Sequence, residues 1–260
     1  MTLAHRIRHR FGNTFATRHP APIFILGNQK SGTSAIALLL GEISGLTATN
    51  DLRREIGDQL ILPIRAGQVP FSRLLRRNRL DFSRAIIKHP NLTLIYEELR
   101  QAFPRAKFAF VIREPSDNIR SILDRLDLPG TLDQIDSDRW SNLPAAWRAI
   151  LQGDGLELAS SRPAEVLAHR WNLIADVYLD RTQQMQLIRY EDFVADKVGT
   201  LRVLAESLGL RETKDISASV DRQYQPRGSH RGIDPWEFFG DNLEFITGIC
   251  RVRMERFGYR

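Results

Sequence analysis

A short apolar run, a turn with two glycines and a second apolar run make up Pro22–Leu40, and this stretch constrains the fold most strongly. Residues 23–26 (IFIL) are all apolar, which is typical of a strand buried on both faces of a parallel sheet. The run that follows from Ser34 predicts a helix that packs back on this strand. A turn between such elements offers backbone N–H groups and the helix N-terminus, which carries roughly half a positive charge. The stretch therefore predicts an anion-binding site.

The turn differs from a nucleoside-triphosphate P-loop in the position of its lysine. The P-loop pattern is G-x-x-x-x-G-K-[ST]. Gly27 and Gly32 keep the glycine spacing and Ser34 keeps the hydroxyl, but Thr33 stands where the P-loop has lysine. The lysine of this chain, Lys30, lies in the middle of the turn, where it can reach the oxygens of a bound anion. A small-molecule kinase that uses Mg-ATP is therefore an alternative that this turn fits less well.

The segment from Gly27 to Ser34 (GNQKSGTS) resembles the 5′-phosphosulfate-binding loop of sulfotransferases that use 3′-phosphoadenosine 5′-phosphosulfate (PAPS). The resemblance implies that PAPS is the cofactor, that 3′-phosphoadenosine 5′-phosphate (PAP) is the product, and that no metal takes part. It also implies a catalytic role for Lys30 at the leaving oxygen. The nucleotide-binding residues that it implies in this loop are Lys30, Ser31, Gly32, Thr33 and Ser34.

The fold implied by the resemblance is α/β, with the three layers of P-loop NTPases and a central parallel sheet of four to five strands flanked by helices. Apolar runs predict further strands within 85–90, 107–112 and 185–189. Helical patterns and breaker residues predict helices over 96–103, 115–126, 164–181 and 198–208, and one C-terminal helix over 235–259.

A candidate catalytic pair follows the second predicted strand. Lys88 and His89 end this strand and precede Pro90, and strand ends of this kind face the ligand crevice in open α/β sheets. The resemblance implies that a lysine and a histidine here lie beside the transferred group, with the histidine as general base. Because other sulfotransferases use a carboxylate base, Asp51 and Glu55 stay open as alternatives to His89.

A second phosphate site is predicted where the strand over 107–112 runs into a helix. Arg113 ends the strand and Ser121 lies on the helix, which Pro115 begins. A guanidinium and a hydroxyl placed in this way can converge on one anion. The spacing resembles the 3′-phosphate site of sulfotransferases, which implies that Arg113 and Ser121 bind the 3′-phosphate.

Two weaker matches complete the resemblance. Tyr190 follows the predicted strand over 185–189, and the resemblance places it near the adenine. Arg231 and Gly232 resemble the late basic loop that closes over the 3′-phosphate, although Arg227-Gly228 offers a second register for this loop.

The chain is predicted to form a basic arm over 1–20 and a single domain over 21–260. The arm contains arginines and histidines and no acidic residue, so contact with an anionic membrane surface is an alternative to a solvated lead-in. The stretch 127–163 has little periodicity and is predicted to be a lid or an acceptor-binding insertion. Two tryptophans, Trp140 and Trp147, lie in this stretch.

Composition narrows the class of protein. A chain of 260 residues with 42% apolar composition can bury a large core, and its net charge of +6 favours an anionic ligand. A single cysteine, Cys250, excludes an internal disulfide and fits a reducing compartment such as the cytoplasm. Apolar runs stay below the ~20 residues that cross a bilayer, so no transmembrane segment is expected.

The function predicted is transfer of a sulfuryl group from PAPS to an acceptor hydroxyl or amine by in-line displacement. The acceptor is expected to be a small molecule, a carbohydrate or a lipid, and no nucleic acid is expected as a partner. Three alternatives stay open besides this function: the Mg-ATP kinase, a basic nucleic-acid-binding module, and a member that binds the nucleotide without turnover.

Overall fold

The computed structural model describes residues 13, 15–156, 158, 160–224 and 228–260. Its strands are β1 (Ile23–Gly27), β2 (Ala48–Asn50), β3 (Ile86–Lys88), β4 (Lys107–Ile112) and β5 (Gln186–Arg189). They form a five-stranded sheet in the order β2-β3-β1-β4-β5, and every neighbouring pair is parallel. The predicted α/β fold with a parallel sheet is confirmed.

Helices and short 3₁₀ turns connect the strands and cover both faces of the sheet. The helices are α1 (Thr33–Ser44), α2 (Glu55–Asp58), α3 (Ile61–Arg65), α4 (Phe71–Arg77), α5 (Tyr96–Ala102), α6 (Pro115–Leu126), α7 (Ser137–Asn142), α8 (Ala145–Leu151), α9 (Pro163–Leu179), α10 (Tyr190–Ala195), α11 (Lys197–Ser207), α12 (Pro235–Phe239) and α13 (Asn242–Arg256). The 3₁₀ turns are Asp81–Ser83, Pro90–Ile95 and Thr182–Gln184.

Both faces of the sheet are apolar, because alternate residues of each strand point to opposite sides. Phe24 and Leu26 of β1 belong to the core cluster that α5, α6, α9 and α13 complete, with Trp171 fully buried in it. Ile23 and Ile25 belong to the second cluster, which α1 and α11 complete. Burial on two faces explains why β1 reads as an unbroken apolar run instead of an alternating one.

Local signals in the sequence set the ends of the site-bearing helices. Pro115 stands at the start of α6, where its missing N–H removes no hydrogen bond. The side chain of Glu114 accepts a hydrogen bond from the N–H of Asp117 (2.7 Å) and caps the same helix. Gly45, in a left-handed conformation with φ of 67°, ends α1. These ends bring the N-termini of α1 and α6 to the carboxyl edge of the sheet.

Three elements differ from the sequence prediction. The strand β2 was not predicted, because only three residues form it and it pairs only with β3. The stretch 127–163, predicted as irregular, contains α7 and α8. The predicted helix over 235–259 is two helices, α12 and α13, since Gly240 adopts a conformation (φ 52°, ψ −138°) that no helix continues through.

Most of the predicted basic arm, including residues 1–12 and 14, lies outside the described residues. The part that is described contacts the segment before β3: the side chain of Asn13 accepts a hydrogen bond from the N–H of Leu80 (3.1 Å), and the N–H of His19 donates to the carbonyl of Phe82 (2.9 Å). The division into an arm and one domain stays a prediction. In the described residues no helix is long and apolar enough to cross a membrane.

Candidate functional site

A cavity of about 810 Å³ lies at the carboxyl ends of the strands. It is the place where parallel α/β sheets bind ligands, because loops from several strands meet there. Two of the predicted nucleotide-binding residues, Ser31 and Gly232, do not line it. The predicted site residues that line it are Lys30, Gly32, Thr33, Ser34, Lys88, His89, Arg113, Ser121, Tyr190 and Arg231.

The turn between β1 and α1 forms one wall of the cavity. Lys30 has a positive φ of 64° and Gly32 a φ of 90°, so the chain coils tightly before α1 begins at Thr33. A Cβ added to Gly32 would lie 2.4 Å from a ring carbon of Tyr190, well inside van der Waals contact. Only glycine fits here, because both the backbone angle and the packed tyrosine ring exclude a side chain.

Arg113, at the end of β4, joins this wall to the predicted second phosphate site. Its Nη1 donates to the carbonyl of Lys30 (3.2 Å), and its Nη2 lies 3.6 Å from a carboxylate oxygen of Asp117. The guanidinium lies over the ring of Tyr190, 4.7 Å from the centroid. Its buried Nε has no hydrogen-bond partner in the described part of the chain. Arg113 and Ser121 both line the cavity, and their sharing of one anion stays a prediction.

Asn118 of α6 fastens the two phosphate-binding segments to each other. Its side-chain amide donates to the carbonyl of Gln29 (2.8 Å) and to the hydroxyl of Ser31 (3.1 Å), and its oxygen accepts from Asn28 (2.9 Å). Asn118 and Ser31 are fully buried. Ser31 therefore faces α6 and not the cavity, and its role is to position the turn.

Trp171 of α9 positions the backbone of Arg113. Its indole N–H donates to the carbonyl of Arg113 (2.9 Å), and the ring is fully buried. Neither Asn118 nor Trp171 was singled out as a site residue from the sequence. The only signal for Asn118 was a polar residue on an amphipathic helix between Arg113 and Ser121, and for Trp171 there was none beyond an aromatic in a helix.

Positive charge accumulates around Lys30. Burial lowers the pKa of Lys30 below its ordinary value, and the charges of Arg125 and Arg113 lower it further. Asp124 opposes this effect in part, since its negative charge favours the ammonium form. A lysine whose pKa is lowered by neighbouring cations in a shared cavity belongs to a site that a bound anion stabilises.

A second charged cluster lies where β2 and β3 end, next to each other in the sheet. Nζ of Lys88 donates to Oδ1 of Asp51 (2.9 Å), and Nδ1 of His89 lies 3.4 Å from the same oxygen. Asp51 has a left-handed backbone (φ 79°), and its N–H donates to the carbonyl of Lys88 (2.8 Å). Neither buried ring nitrogen of His89 makes a well-formed hydrogen bond within the described residues.

The carboxylate of Asp51 is held in its ionised form by this cluster. Burial alone would raise the pKa of Asp51, but the close contact with His89 and the charge of Lys88 outweigh it and lower the pKa to about 2. Asp51 therefore stays negative at neutral pH, beside a lysine whose side chain is 3% exposed.

Replacing Asp51 by Asn is expected to change how stability depends on pH. The pKa of Asp51 is lower in the folded chain (about 2) than its ordinary value of 3.8, so its ion pair stabilises the fold above pH ~4 and ceases to do so as pH falls through 2. Urea unfolding measures the difference in free energy of unfolding between wild type and Asp51→Asn. This difference should be about 2 kcal/mol larger at pH 6 than at pH 2. Asp180→Asn, at an exposed carboxylate, should show no such trend. An equal difference at both pH values would contradict the assignment.

Glu55, the other alternative base, has its carboxylate committed to the backbone. Its two oxygens accept hydrogen bonds from the N–H groups of Leu60 (3.0 Å) and Ile61 (2.9 Å), where α3 begins. Burial raises the pKa of Glu55 above its ordinary value despite these bonds. This arrangement suits a residue that fixes the start of α3, and it favours His89 or Asp51 as the base.

The late basic loop reaches the cavity through Gly228 and Arg231. Arg227, the alternative register for this loop, lies outside the described residues. The loop is held by His230, whose Nδ1 lies 2.5 Å from a carboxylate oxygen of Asp124. That aspartate lines the cavity with its side chain 3% exposed, next to Ser121 and Arg125.

Part of the cavity lining is apolar, and a buried cation of α9 also lines the cavity. The helix α8, inside the predicted acceptor-binding stretch, contributes to this lining. The cation is Arg170 of α9, which hydrogen-bonds to Gln29 and Asn91. Sequence reasoning missed it. The apolar residues of this part are Ile56, Ile61, Leu62, Leu94, Trp147 and Ile150.

No group of three or more His, Cys, Asp or Glu side chains in the described residues could hold a metal ion. The expectation that catalysis needs no metal stays a prediction.

Comparison with known proteins gives a family and a fold. The sequence model of the sulfotransferase family matches residues 61–215, more than half of the chain, beginning after the glycine turn. No curated protein sequence matches the chain significantly.

Several solved structures resemble the chain. Sulfotransferase STF9 from Mycobacterium avium matches with a TM-score of 0.55 and 12% identity, over 99% of this chain and 81% of that one. STF1 from Mycobacterium tuberculosis H37Rv matches with a TM-score of 0.50 and 14% identity, over 94% and 80%. Mouse sulfotransferase SULT7A1, solved in complex with PAP, matches with a TM-score of 0.50 and 14% identity, over 94% and 87%. At these identities the likeness concerns the fold.

Proposed function

The chain belongs to the sulfotransferase family, and from this premise we propose that it transfers a sulfuryl group from PAPS to the hydroxyl or amine of a small-molecule acceptor. Carbohydrate and lipid alcohols are included among the acceptors. The observation that carries the proposal is that the two predicted phosphate-binding segments line one cavity and touch each other, through the hydrogen bond from Arg113 to the carbonyl of Lys30. The single cysteine continues to predict a reducing compartment such as the cytoplasm.

The residues of the cavity fit a nucleotide with anionic groups at both ends. We assign the 5′ end of the nucleotide to Lys30 and the N-terminus of α1, and its 3′-phosphate to Arg113 and Ser121; all of these groups line the cavity. The buried Nε of Arg113, without a partner in the described residues, is an N–H donor that a phosphate oxygen would satisfy. Bound PAPS would supply the sulfuryl group, which leaves from an oxygen of the 5′-phosphate.

Lys30 and the turn would stabilise the charge that develops on this oxygen. The ammonium group of Lys30, the amides of Gly32, Thr33 and Ser34, and the α1 dipole all act at the same end of the cavity. Because these groups are fixed before binding, little reorganisation is needed during the reaction. Lys88, which ends β3, would support the sulfuryl group on its other side.

His89 would accept the proton of the acceptor. His89 lines the cavity, next to the ionised carboxylate of Asp51, and neither of its ring nitrogens has a well-formed hydrogen-bond partner in the described residues. A negative charge 3.4 Å from Nδ1 stabilises the imidazolium that forms when His89 takes a proton. Asp51 would act as a positioning residue in this arrangement, through its contacts to His89 and Lys88.

Arg113, Ser121 and Arg231 would select for the 3′-phosphate, which ATP lacks. Arg113→Ala should weaken the binding of PAP by about 10²-fold, since hydrogen bonds from a guanidinium to an anion contribute about 1.5–3 kcal/mol each. Binding of adenosine 5′-phosphate, which has no 3′-phosphate, should change by less than about 3-fold. Isothermal titration calorimetry with both nucleotides measures the difference.

The control for this experiment is Arg100→Ala, at an arginine of α5 that pairs with Glu97 at the surface. An equal loss for both nucleotides in Arg113→Ala would show that Arg113 holds the turn and not the 3′-phosphate. Wild-type protein that is stabilised against heat by Mg-ATP but not by PAP in EDTA would overturn the proposed function in favour of a kinase.

A further inference from the structure

Arg170 is a buried cation that faces the cavity and has neutral partners. It lies on α9, is 2% exposed, and lines the cavity. Its Nε and Nη2 donate to Oε1 of Gln29 (3.3 and 3.1 Å), and Nη2 also donates to Oδ1 of Asn91 (2.8 Å). The amide of Gln29 donates in turn to Asn91 (2.6 Å). These partners are amides, and an amide oxygen carries only a partial charge.

No carboxylate pairs with Arg170 among the described residues. A guanidinium removed from water is unfavourable unless an anion compensates it, and buried arginines are normally paired. Burial lowers the pKa of Arg170 to about 10, and the charge of Arg65 contributes in the same direction. A group with a pKa near 10 keeps its proton, and therefore its positive charge, at neutral pH. The folded chain therefore holds an uncompensated positive charge next to the cavity.

The guanidinium keeps donors for a further partner. The hydrogen bonds to Gln29 and Asn91 use Nε and Nη2, which leaves the two N–H groups of Nη1 without a protein partner in the described residues. A planar guanidinium matches carboxylate and sulfate oxygens in a two-pronged geometry. The missing partner of Arg170 is thus an anion that enters from the cavity.

The position of Arg170 assigns this anion to the acceptor and not to the nucleotide. Gln29, one of its partners, directly precedes Lys30 in the turn, and Asn91, the other, lies two residues after His89. The groups assigned to the 3′-phosphate, Arg113 directly after β4 and Ser121 on α6, are not among the hydrogen-bond partners of Arg170 in the described residues. The helix α9, which carries Arg170, packs against α8 and the 3₁₀ turn Pro90–Ile95, and these two elements supply the apolar lining residues Trp147, Ile150 and Leu94.

We propose that the acceptor has an apolar body and a second, anionic group, a carboxylate or a sulfate ester, which binds to Arg170 while its hydroxyl lies at His89. This substrate class rests on the proposed function. It also explains why a cation is buried among apolar side chains: the arginine becomes a full ion pair only when the correct acceptor is present, which makes it a specificity determinant.

The first test is equilibrium binding, which needs no turnover. We would titrate 4-phenylbutyrate and its neutral amide, 4-phenylbutyramide, into the protein with and without saturating PAP. Wild type should bind the carboxylate at least 10-fold more tightly than the amide, and Arg170→Gln should bind the two equally. Arg170→Lys keeps the positive charge but loses the planar pair of N–H donors, so its preference for the carboxylate should lie between those of wild type and Arg170→Gln. Arg202→Gln, at an exposed arginine of α11 paired with Glu212, should behave as wild type.

The second test is turnover with labelled PAPS and the pair 4-hydroxyphenylacetate and its amide. Arg170→Gln should raise KM for the acid about 10-fold or more, leave KM for the amide within about 2-fold, and leave the affinity for PAP unchanged. A merely structural role would instead reduce kcat for both acceptors.

The proposal is overturned if wild type binds carboxylate and amide equally, whether or not any variant folds. It is also overturned if Arg170→Gln keeps the preference for the carboxylate. Failure of the proposed function has a different signature: PAP does not bind and PAPS is not consumed, while the preference for the anion measured without nucleotide still decides the role of Arg170.

Discussion

Replacing His89 by Ala is expected to lower kcat by about 10²–10⁴-fold, the range that a general base contributes. His89 directly follows β3 and lines the cavity, and because its ring nitrogens have no well-formed hydrogen bond in the described residues, we expect one of them to pair with the acceptor hydroxyl. The measurement is release of PAP from PAPS with 4-hydroxyphenylacetate as the acceptor. The affinity for PAP should stay within about 3-fold of wild type, since His89 is not one of the residues proposed to bind the phosphates.

The matched control is His169→Ala, at the half-buried histidine of α9 that does not line the cavity. Comparison with Asp51→Asn separates the two candidate bases. If His89 is the base, the loss in Asp51→Asn is smaller than in His89→Ala, because the carboxylate only orients the ring and stabilises its cation. A larger loss in Asp51→Asn, with His89→Ala retaining most of the rate, would make Asp51 the base.

Replacing Lys30 by Met is the change with the second largest expected effect. It should lower kcat by about 10²–10³-fold, the cost of removing one preorganised group that stabilises developing charge. Met keeps the length of the side chain and removes the ammonium. PAP has no sulfuryl group, so its affinity should fall much less than kcat.

The dependence on pH provides a second readout for Lys30. Burial and the neighbouring arginines lower its pKa, so the ammonium loses its proton at a lower pH than an exposed lysine would. In wild type the rate should therefore decline on the alkaline side below the ordinary lysine pKa of 10.5, and this decline should be absent from Lys30→Met. Lys214→Met, at an exposed lysine that pairs with Glu42, serves as the control. An unchanged kcat in Lys30→Met would remove the lysine from the mechanism.

The parts of the fold that were predicted correctly are those with strong local signals. The strands β1 and β4 are continuous apolar runs, and Pro115 and Gly45 mark the ends of their helices. The strand β2 has no such signal: it is three residues long, and it is held by pairing with β3 and by the hydroxyl of Thr49, which donates to the carbonyl of Asp81 (2.9 Å). The exposure of single side chains has no local signal either: Phe245 of α13 is apolar, yet it is 41% exposed and lies under the guanidinium of Arg162.

In the candidate site, too, residues with local sequence signals could be predicted and residues that depend on long-range contacts could not. Lys30, His89 and Arg113 could be predicted because each follows a strand of a parallel sheet, and such strand ends meet at one edge. Arg170 and Asn118 could not, because their roles depend on contacts between distant parts of the chain; Arg170 and Gln29 are 141 positions apart. Ser31 illustrates a further limit. The motif marks it as a ligand, but the direction of its side chain depends on the coil of the turn, which points it at α6.

The contact of Asn118 with the glycine turn has a consequence for the energetics of binding. Its hydrogen bonds to the carbonyl of Gln29 and the hydroxyl of Ser31 keep the turn in shape in the ligand-free chain. The loss of conformational freedom in this turn, about 1–2 kcal/mol for each residue, therefore occurs when the protein folds and not when a nucleotide arrives. An asparagine that touches no substrate can in this way set how tightly the first substrate is held.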